Sequence, residues 1–323
     1  MGISIAKAGI LDTIQDTGRF RFRKYGINPG GAMDRDSLRL INIILGNSEN
    51  EAAVEMHFPA PEIAFGQPAV FALAGADFDA TLDNTPISNW KIYYAKVGSL
   101  LKFHRRNSGN RCYLGVRGGF QIEKWLGSKN TNLMAQTGGI GGRKLAKDDR
   151  ILFSRISERI DRIPDVEIAS SLRPDFGVIR TVRITKGSEY RDLTALSEQL
   201  FFEGTYEIAK DSNRMGYRLD GSRLHLLSRK EMITSAVDYG TIQLPPDGKP
   251  LLLMADHQTT GGYPKIGHVI NRDLSLVGQM STGDKIRFEV ISIDNAEKEN
   301  EQFERDLSYL KMGVKFRQTD ADN

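Results

Sequence analysis

The sequence predicts a mainly β protein built from two units, and three observations carry that prediction. Short runs rich in β-branched and aromatic residues recur along most of the chain and stop at Gly, Pro, Asn or Asp. Glycine is abundant, 32 in 323 residues, as many tight turns between short strands require. The two halves also echo each other. In the first, Asp16 lies three positions before Arg19 and "LAKDDRILF" follows later; in the second, Asp211 lies three before Arg214 and "MSTGDKIRF" follows.

The strand segments are "AVFALAG" (69–75), "RCYLGVRGG" (111–119), "DRILFS" (149–154), "GVIRTVRIT" (177–185), "TIQLP" (241–245), "PLLLMA" (250–255) and "KIRFEVIS" (285–292), a pattern of sandwiches or barrels. Two helices interrupt it. In 33–47, Leu38, Ile41 and Leu45 share a face, Asp34 is placed to cap and Gly46 to stop, giving a helix over 34–46. In the tail, Asp294 precedes Glu297 at capping-box spacing, and Phe303, Leu307 and Leu310 form one stripe that Gly313 would end. The stretch 154–176 has charges, two prolines and no sustained strand pattern. The expected organisation is a first β unit over 1–155, a linker over 156–176, a second β unit over 177–293, and a C-terminal helix and tail over 294–323.

Composition narrows the function. The net charge of +3 is small and spread along the chain, which argues against nucleic acid as a partner. The single cysteine, Cys112, excludes an internal disulfide framework and suits a small core position in a reducing cytoplasm. The N-terminus lacks a basic segment followed by an apolar one, and no apolar run approaches the roughly 20 residues of a membrane span, so neither secretion nor membrane insertion is expected. There is no G-x-x-x-x-G-K-[ST], G-x-S-x-G or H-E-x-x-H, and the histidines at 57, 104, 225, 257 and 268 lack metal-ligand spacing, so no metal site is expected.

What remains is a series of glycine-flanked polar clusters. Seven of them, in order, are "QDTGR", "GGAMD", the run from Asn42 through Asn47 to Glu55, "RGGF", "NRMGYRL", "GTIQLPPDG" and "DHQTTGGYPKI". Together, from about Gly9 to about Ala296, they resemble the family that includes the C component of the three-part 5-oxoprolinase, allophanate hydrolase subunit 2, the KipI antagonist and the second carboxyltransferase region of urea carboxylase. The resemblance implies cyclophilin-like β-barrel units. It implies ATP as cofactor, with Mg2+ carried by the nucleotide, a KipI-like B component and a LamB/YcsF-like A component as partners, and a cyclic amide opened to glutamate. In the urea carboxylase branch the corresponding region moves a carboxyl group from carboxybiotin to urea, a urea-like substrate. No "AMKM" biotin-attachment stretch is present, so no covalently attached biotin is expected. A third role is regulatory, sequestering a kinase inhibitor without chemistry.

Activating an amide with ATP needs groups that hold phosphates, neutralise charge and polarise a small ring. Without a P-loop, phosphates would rest on backbone N–H groups in glycine turns beside a cation. Gly139, Gly141 and Arg143 of "TGGIGGRK" suit that role, as do Thr259, Thr260, Gly261, Gly262, Tyr263 and Lys265 of "TTGGYPK". Asp34, Glu55 and Asp256 are the candidate catalytic carboxylates. Asp34 follows the Gly30-Gly31 turn and has two compatible roles, capping the helix or holding a substrate N–H or an ATP-bound metal. Glu55 is either an edge carboxylate or a buried acid of perturbed pKa. Asp16 and Arg19, next to Gln15, read first as an ion pair closing a loop, a clamp repeated at Asp211 and Arg214. Arg117 and Gln243, polar within apolar strands, belong to a buried network or line a cleft. His257 and Lys265 are either ligands or solvated, whereas His268 reads as structural. The expectation is a cleft built from 15–34, 55 and 255–265 and completed by the KipI-like partner.

Overall fold

The computed structural model describes residues 2–154, 166–174, 176, 179–228 and 232–322. They divide into two compact units that are not contiguous in sequence: Met1–Arg19, Gly30–Pro174 and Phe303–Asn323 form the first, and Phe20–Pro29 with Asp175–Gln302 the second. The short segment 20–29 thus leaves its sequence neighbours and packs with the C-terminal half. Of the stretch expected as a linker, residues 156–165 and 175 lie outside the described residues, and Val166 and Ile168 are buried in the first unit.

The first unit contains two sheets. One runs Arg150–Leu152, Gly2–Lys7, Glu62–Phe65, Leu100–Phe103, Ala80–Leu82 and Thr85–Pro86; the other runs Thr13–Gln15, Ala53–Met56, Ser108–Val116, Ala69–Asp77 and Ile92–Ala95. Strand Ala69–Asp77 shows why its sequence is a continuous apolar run. Phe71 and Leu73 point into one core, with Ile5, Phe65 and Leu114, while Val70, Ala72 and Ala74 point into another, with Leu38, Ile41 and Leu45 of helix Arg35–Leu45. Side chains alternate between faces, and both faces are covered. Cys112 is fully buried in the first of these cores. Gly115 permits the close approach of the helix, because a Cβ there would lie 2.9 Å from Leu45 Cδ1 and 3.1 Å from Ile41 Cδ1.

The second unit is a closed seven-stranded barrel in the order Ile179–Lys186, Lys265–Val269, Thr241–Gln243, Leu251–Leu253, Gly216–Asp220, Tyr206–Ile208 and Lys285–Val290. Closure joins the first and last of these strands in parallel, with Val182 opposite Phe288, and the remaining pairs are antiparallel. The protein is therefore mostly β, and each of the seven strand segments read from the sequence contains a strand. Among the described residues no helix is long and apolar enough to cross a membrane.

Two expectations about the tail are corrected. The C-terminal helix Ile293–Asp322 is preceded by Ser292, whose Oγ accepts from the Asn295 N–H (3.2 Å), so Asp294 lies inside the first turn and is not the cap. Nor does Gly313 end it. An interior glycine costs a helix only about 1 kcal/mol, and the next residue, Val314, is buried with Phe303 and Leu307 in the first unit's core. Continuing the helix buries that side chain.

Candidate functional site

In the first unit Gln15, Asp16, Arg19, Asp34 and Glu55 are buried and hydrogen-bonded within the fold, whereas Arg143 is not buried. The Gly30-Gly31 turn has φ of 62° and 96°, and a Cβ on Gly31 would lie 2.7 Å from the Thr17 carbonyl carbon, so the turn requires glycine. It delivers the chain to Asp34, which is fully buried and caps helix Arg35–Leu45, its carboxylate accepting from the Ser37 N–H (2.9 Å) and Oγ (2.5 Å). Glu55 sits on strand Ala53–Met56 opposite Tyr113. Its Oε2 accepts from the Tyr113 hydroxyl (2.7 Å) and the Met33 N–H (3.0 Å), while that hydroxyl accepts from the Asp34 N–H (2.8 Å). Burial, then the charges of Glu55 and Asp34, raise the Tyr113 pKa well above the usual phenol value. Tyr113 thus stays protonated and keeps donating.

Asp16 and Arg19 both fasten the segment 128–130. Asp16 accepts from Gly18 N–H (2.8 Å), Ser128 Oγ (2.8 Å) and Lys129 N–H (2.7 Å); Arg19 donates to the Asn130 carbonyl (2.9 Å) and to its side-chain oxygen. The Arg19 guanidinium also lies 4.6 Å from the Trp125 ring centroid. The Gln15 amide donates to Thr13 Oγ1 (3.0 Å) and the Thr131 carbonyl (3.2 Å). Gly139 and Gly141 have φ of 54° and 63°, and the Gly139 N–H is turned onto Lys129 O (3.1 Å). Arg143, about half exposed, makes a bidentate pair with Asp149 (2.7 and 2.8 Å), which raises its own pKa and lowers that of the carboxylate. Arg117 is half-buried just beyond strand Ser108–Val116, its N–H bonded to Val70 O (2.8 Å).

The second unit gathers the remaining candidates around the 256–265 loop. Asp256 is buried and takes the Arg214 Nε at 2.9 Å, while its N–H donates to Arg214 O (2.8 Å) and its carbonyl accepts from Asn28 Nδ2 (3.1 Å). Asp211, exposed, pairs with Arg218 (2.9 Å). The partner of Arg214 is therefore 42 residues away, and its spacing from Asp211 did not reveal it. Gln243, fully buried, spans the loop: its amide donates to Tyr263 O (3.3 Å) and accepts from Gln258 Nε2 (3.4 Å). Gly261 is small for that reason, since a Cβ there would meet Gln243 Nε2 at 2.4 Å. At Gly262 the nearest atom to a Cβ would be Thr234 Oγ1, at 3.5 Å.

Thr260–Gly261 pairs with Ser235–Ala236, and the Lys265 ammonium donates to Ser235 Oγ (2.5 Å). The His257 ring is buried, with Nδ1 2.5 Å from Gln258 O and Nε2 3.7 Å from Asp238 Oδ1. His268 Nδ1 lies 3.3 Å from Thr241 Oγ1, and burial lowers its pKa. Tyr263 remains 44% exposed. Beside this loop a cavity of about 450 Å³ is lined by Arg23, Lys24, Gly26, Ala236, Thr259 and Thr260. Arg23, Lys24 and Asp238 were not singled out from the sequence. The alternation of cations and aromatics in "RFRFRKY" was an available signal for the first two; an isolated aspartate offered none for the third.

The carboxyltransferase domain family, subdomain A and B, matches residues 25–290. The chain is 40% identical over 286 residues to the 5-oxoprolinase C component of Haemophilus influenzae, covering 88% of this chain and 90% of that one. It is 34% identical over 309 residues to the Escherichia coli protein of the same name, covering 95% and 97%. Among solved structures, the Kluyveromyces lactis urea carboxylase superposes with a TM-score of 0.88 at 25% identity, covering 97% of this chain; the chain spans 29% of that protein.

Proposed function

Because the chain belongs to the carboxyltransferase domain family, subdomains A and B, we propose that it is the C component of a 5-oxoprolinase, opening the lactam of 5-oxoproline to glutamate together with partner proteins. The relatives so named match along nearly their whole length. The observation that carries a ligand-binding role is the cavity beside the 256–265 loop, whose volume of about 450 Å³ falls within the range of small-molecule sites.

The residues divide by task. Arg214 holds Asp256 and Gln243 holds the loop's two ends, so Thr259 and Thr260 reach the cavity from a fixed frame. Their hydroxyls orient polar groups of the ring, and Arg23 and Lys24 offset negative charge. ATP, when bound, supplies the phosphoryl group and the driving force for opening a stable amide. Cations and hydroxyls on one wall suit its phosphates, so the chain's residues are compatible with that cofactor. The proteins that complete the reaction are a KipI-like B component and a LamB/YcsF-like A component, in the cytoplasm.

Combining the purified chain with those two partners, ATP and 5-oxoproline should release glutamate, and omitting the chain should abolish it. No glutamate from partners proven competent with another C component ends the proposal. The likeness to urea carboxylase favours one second reading, carboxyl transfer to urea, which predicts turnover when carboxybiotin is supplied.

A further inference from the structure

We propose that Arg23, Lys24, Thr259 and Thr260 form a binding site for a small oxyanion within the second unit, with Lys24 as its uncompensated cation. The residues that line the cavity include two cations and two threonines, and among the described residues no Asp or Glu lines it, Asp238 being bonded to Arg23. Such a lining concentrates anions and repels cations.

The two cations differ in how they are held. Arg23 Nη1 donates to Asp238 Oδ2 (3.0 Å) and Nη2 to the Val237 carbonyl, so its guanidinium is oriented and partly neutralised before any ligand arrives. Burial would raise the pKa of Asp238, but His257, the Tyr239 N–H and Arg23 together hold it well below the usual carboxylate range. The clamp on Arg23 therefore persists at neutral pH. Lys24 is exposed, with Nζ 5.0 Å from the Tyr25 ring centroid, and among the described residues no carboxylate pairs with it. Its charge is available to a ligand.

The hydroxyls share the same frame. Ala236 stands opposite Thr260 and Ser235 opposite Gly261, and the adjoining Val237 N–H donates to Thr259 O (3.2 Å). Arg23 is fixed to Val237 and Asp238, next along the same segment. Gly26, at φ 77°, turns the chain at the rim, and a Cβ there would meet nothing within 4 Å. An oriented guanidinium, an exposed ammonium and two hydroxyl side chains brought together from the 20–25 and 259–260 segments are what carboxylate or phosphate oxygens require.

The shared chemistry is an oxyanion, from either a cyclic amino acid or a nucleotide. The assignment deepens the proposed reading of this same cavity and rests on it for the choice of ligands, but binding is read on the full chain alone, so the two can fail separately. Titration calorimetry at low salt with pyrophosphate, L-5-oxoproline and the uncharged lactam 2-pyrrolidinone tests it. The expected result is saturable binding of at least one anion, weakened about tenfold in Lys24→Gln and in Thr260→Val, and weakened by added salt. Binding of pyrophosphate alone assigns phosphate, and of 5-oxoproline alone carboxylate. No saturable binding of either anion, an unchanged Kd in both folded variants, or 2-pyrrolidinone binding as tightly as 5-oxoproline overturns the site. Turnover without anion binding would remove this site and leave the reaction standing; anion binding without turnover would do the reverse.

Discussion

The two units treat their polar side chains in opposite ways. In the first, Asp34, Glu55, Asp16 and Gln15 lie inside the fold and bond to helix N–H groups, to Tyr113 and to the 128–131 segment. In the second, Asp256 and Gln243 are buried and bond to Arg214 and to the 258–263 segment, but Thr260 and Tyr263 of that loop are exposed, as is Lys24. Glycine-rich polar motifs of similar appearance therefore turn inwards in one unit, where Gln15 Oε1, Asn130 Nδ2, Thr131 Oγ1 and Thr137 Oγ1 are buried without a hydrogen-bond partner among the described residues, and partly outwards in the other.

The comparison can be broken most severely at the frame of the second unit. Arg214→Ala leaves Asp256 buried without that cation and should cost about 3–5 kcal/mol, read as a lowered urea midpoint. A loss below about 1 kcal/mol would show that the pair is not a structural clamp.

Next in size is a buried acid of the first unit outside the predicted site. Burial pushes Asp12 up to about 7, against lowering by the Gly9 and His57 N–H groups and by Lys144. Its unfolded pKa is about 3.9, so between these values the folded state binds more protons than the unfolded one. Its stabilising contribution is complete below about pH 4 and lost as pH rises through about 7, roughly 4 kcal/mol in all. Asp12→Asn, which does not titrate, should therefore gain stability relative to the parent between pH 4.5 and 8. Parallel stability profiles would contradict this.

A smaller effect is expected at Tyr113→Phe, which removes a donor from Glu55 and an acceptor from the Asp34 N–H. The cost should be about 1–3 kcal/mol by chemical denaturation. Thr260→Val, exposed and in a strand position that accepts a β-branched residue, should move stability by less than about 0.5 kcal/mol.

The sequence made local features legible and distant partnerships obscure. Asp34 and Gly46 cap helix Arg35–Leu45 as their residue types indicate, because capping is decided within a turn or so of chain. The same local rule failed at Asp294, where Ser292 offered a competing cap, and at Gly313, where burial of Val314 outweighed a weak propensity. The partner of Arg214 was hidden because tertiary contact chose Asp256 over the nearer Asp211. The cation-lined wall was hidden for a similar reason. Arg23 meets Val237 and Asp238 across more than 200 residues, and no short motif encodes that distance.

The most direct test compares two variants in the reconstituted reaction, measuring glutamate release alongside urea unfolding. Thr260→Val should lower kcat/KM for 5-oxoproline about tenfold with its unfolding midpoint unchanged, while Tyr113→Phe should lower the midpoint and leave kcat/KM of the folded protein intact. Unaltered turnover in Thr260→Val, with the loss falling on Tyr113→Phe, would instead place the working surface in the first unit and contradict the division of labour between the two.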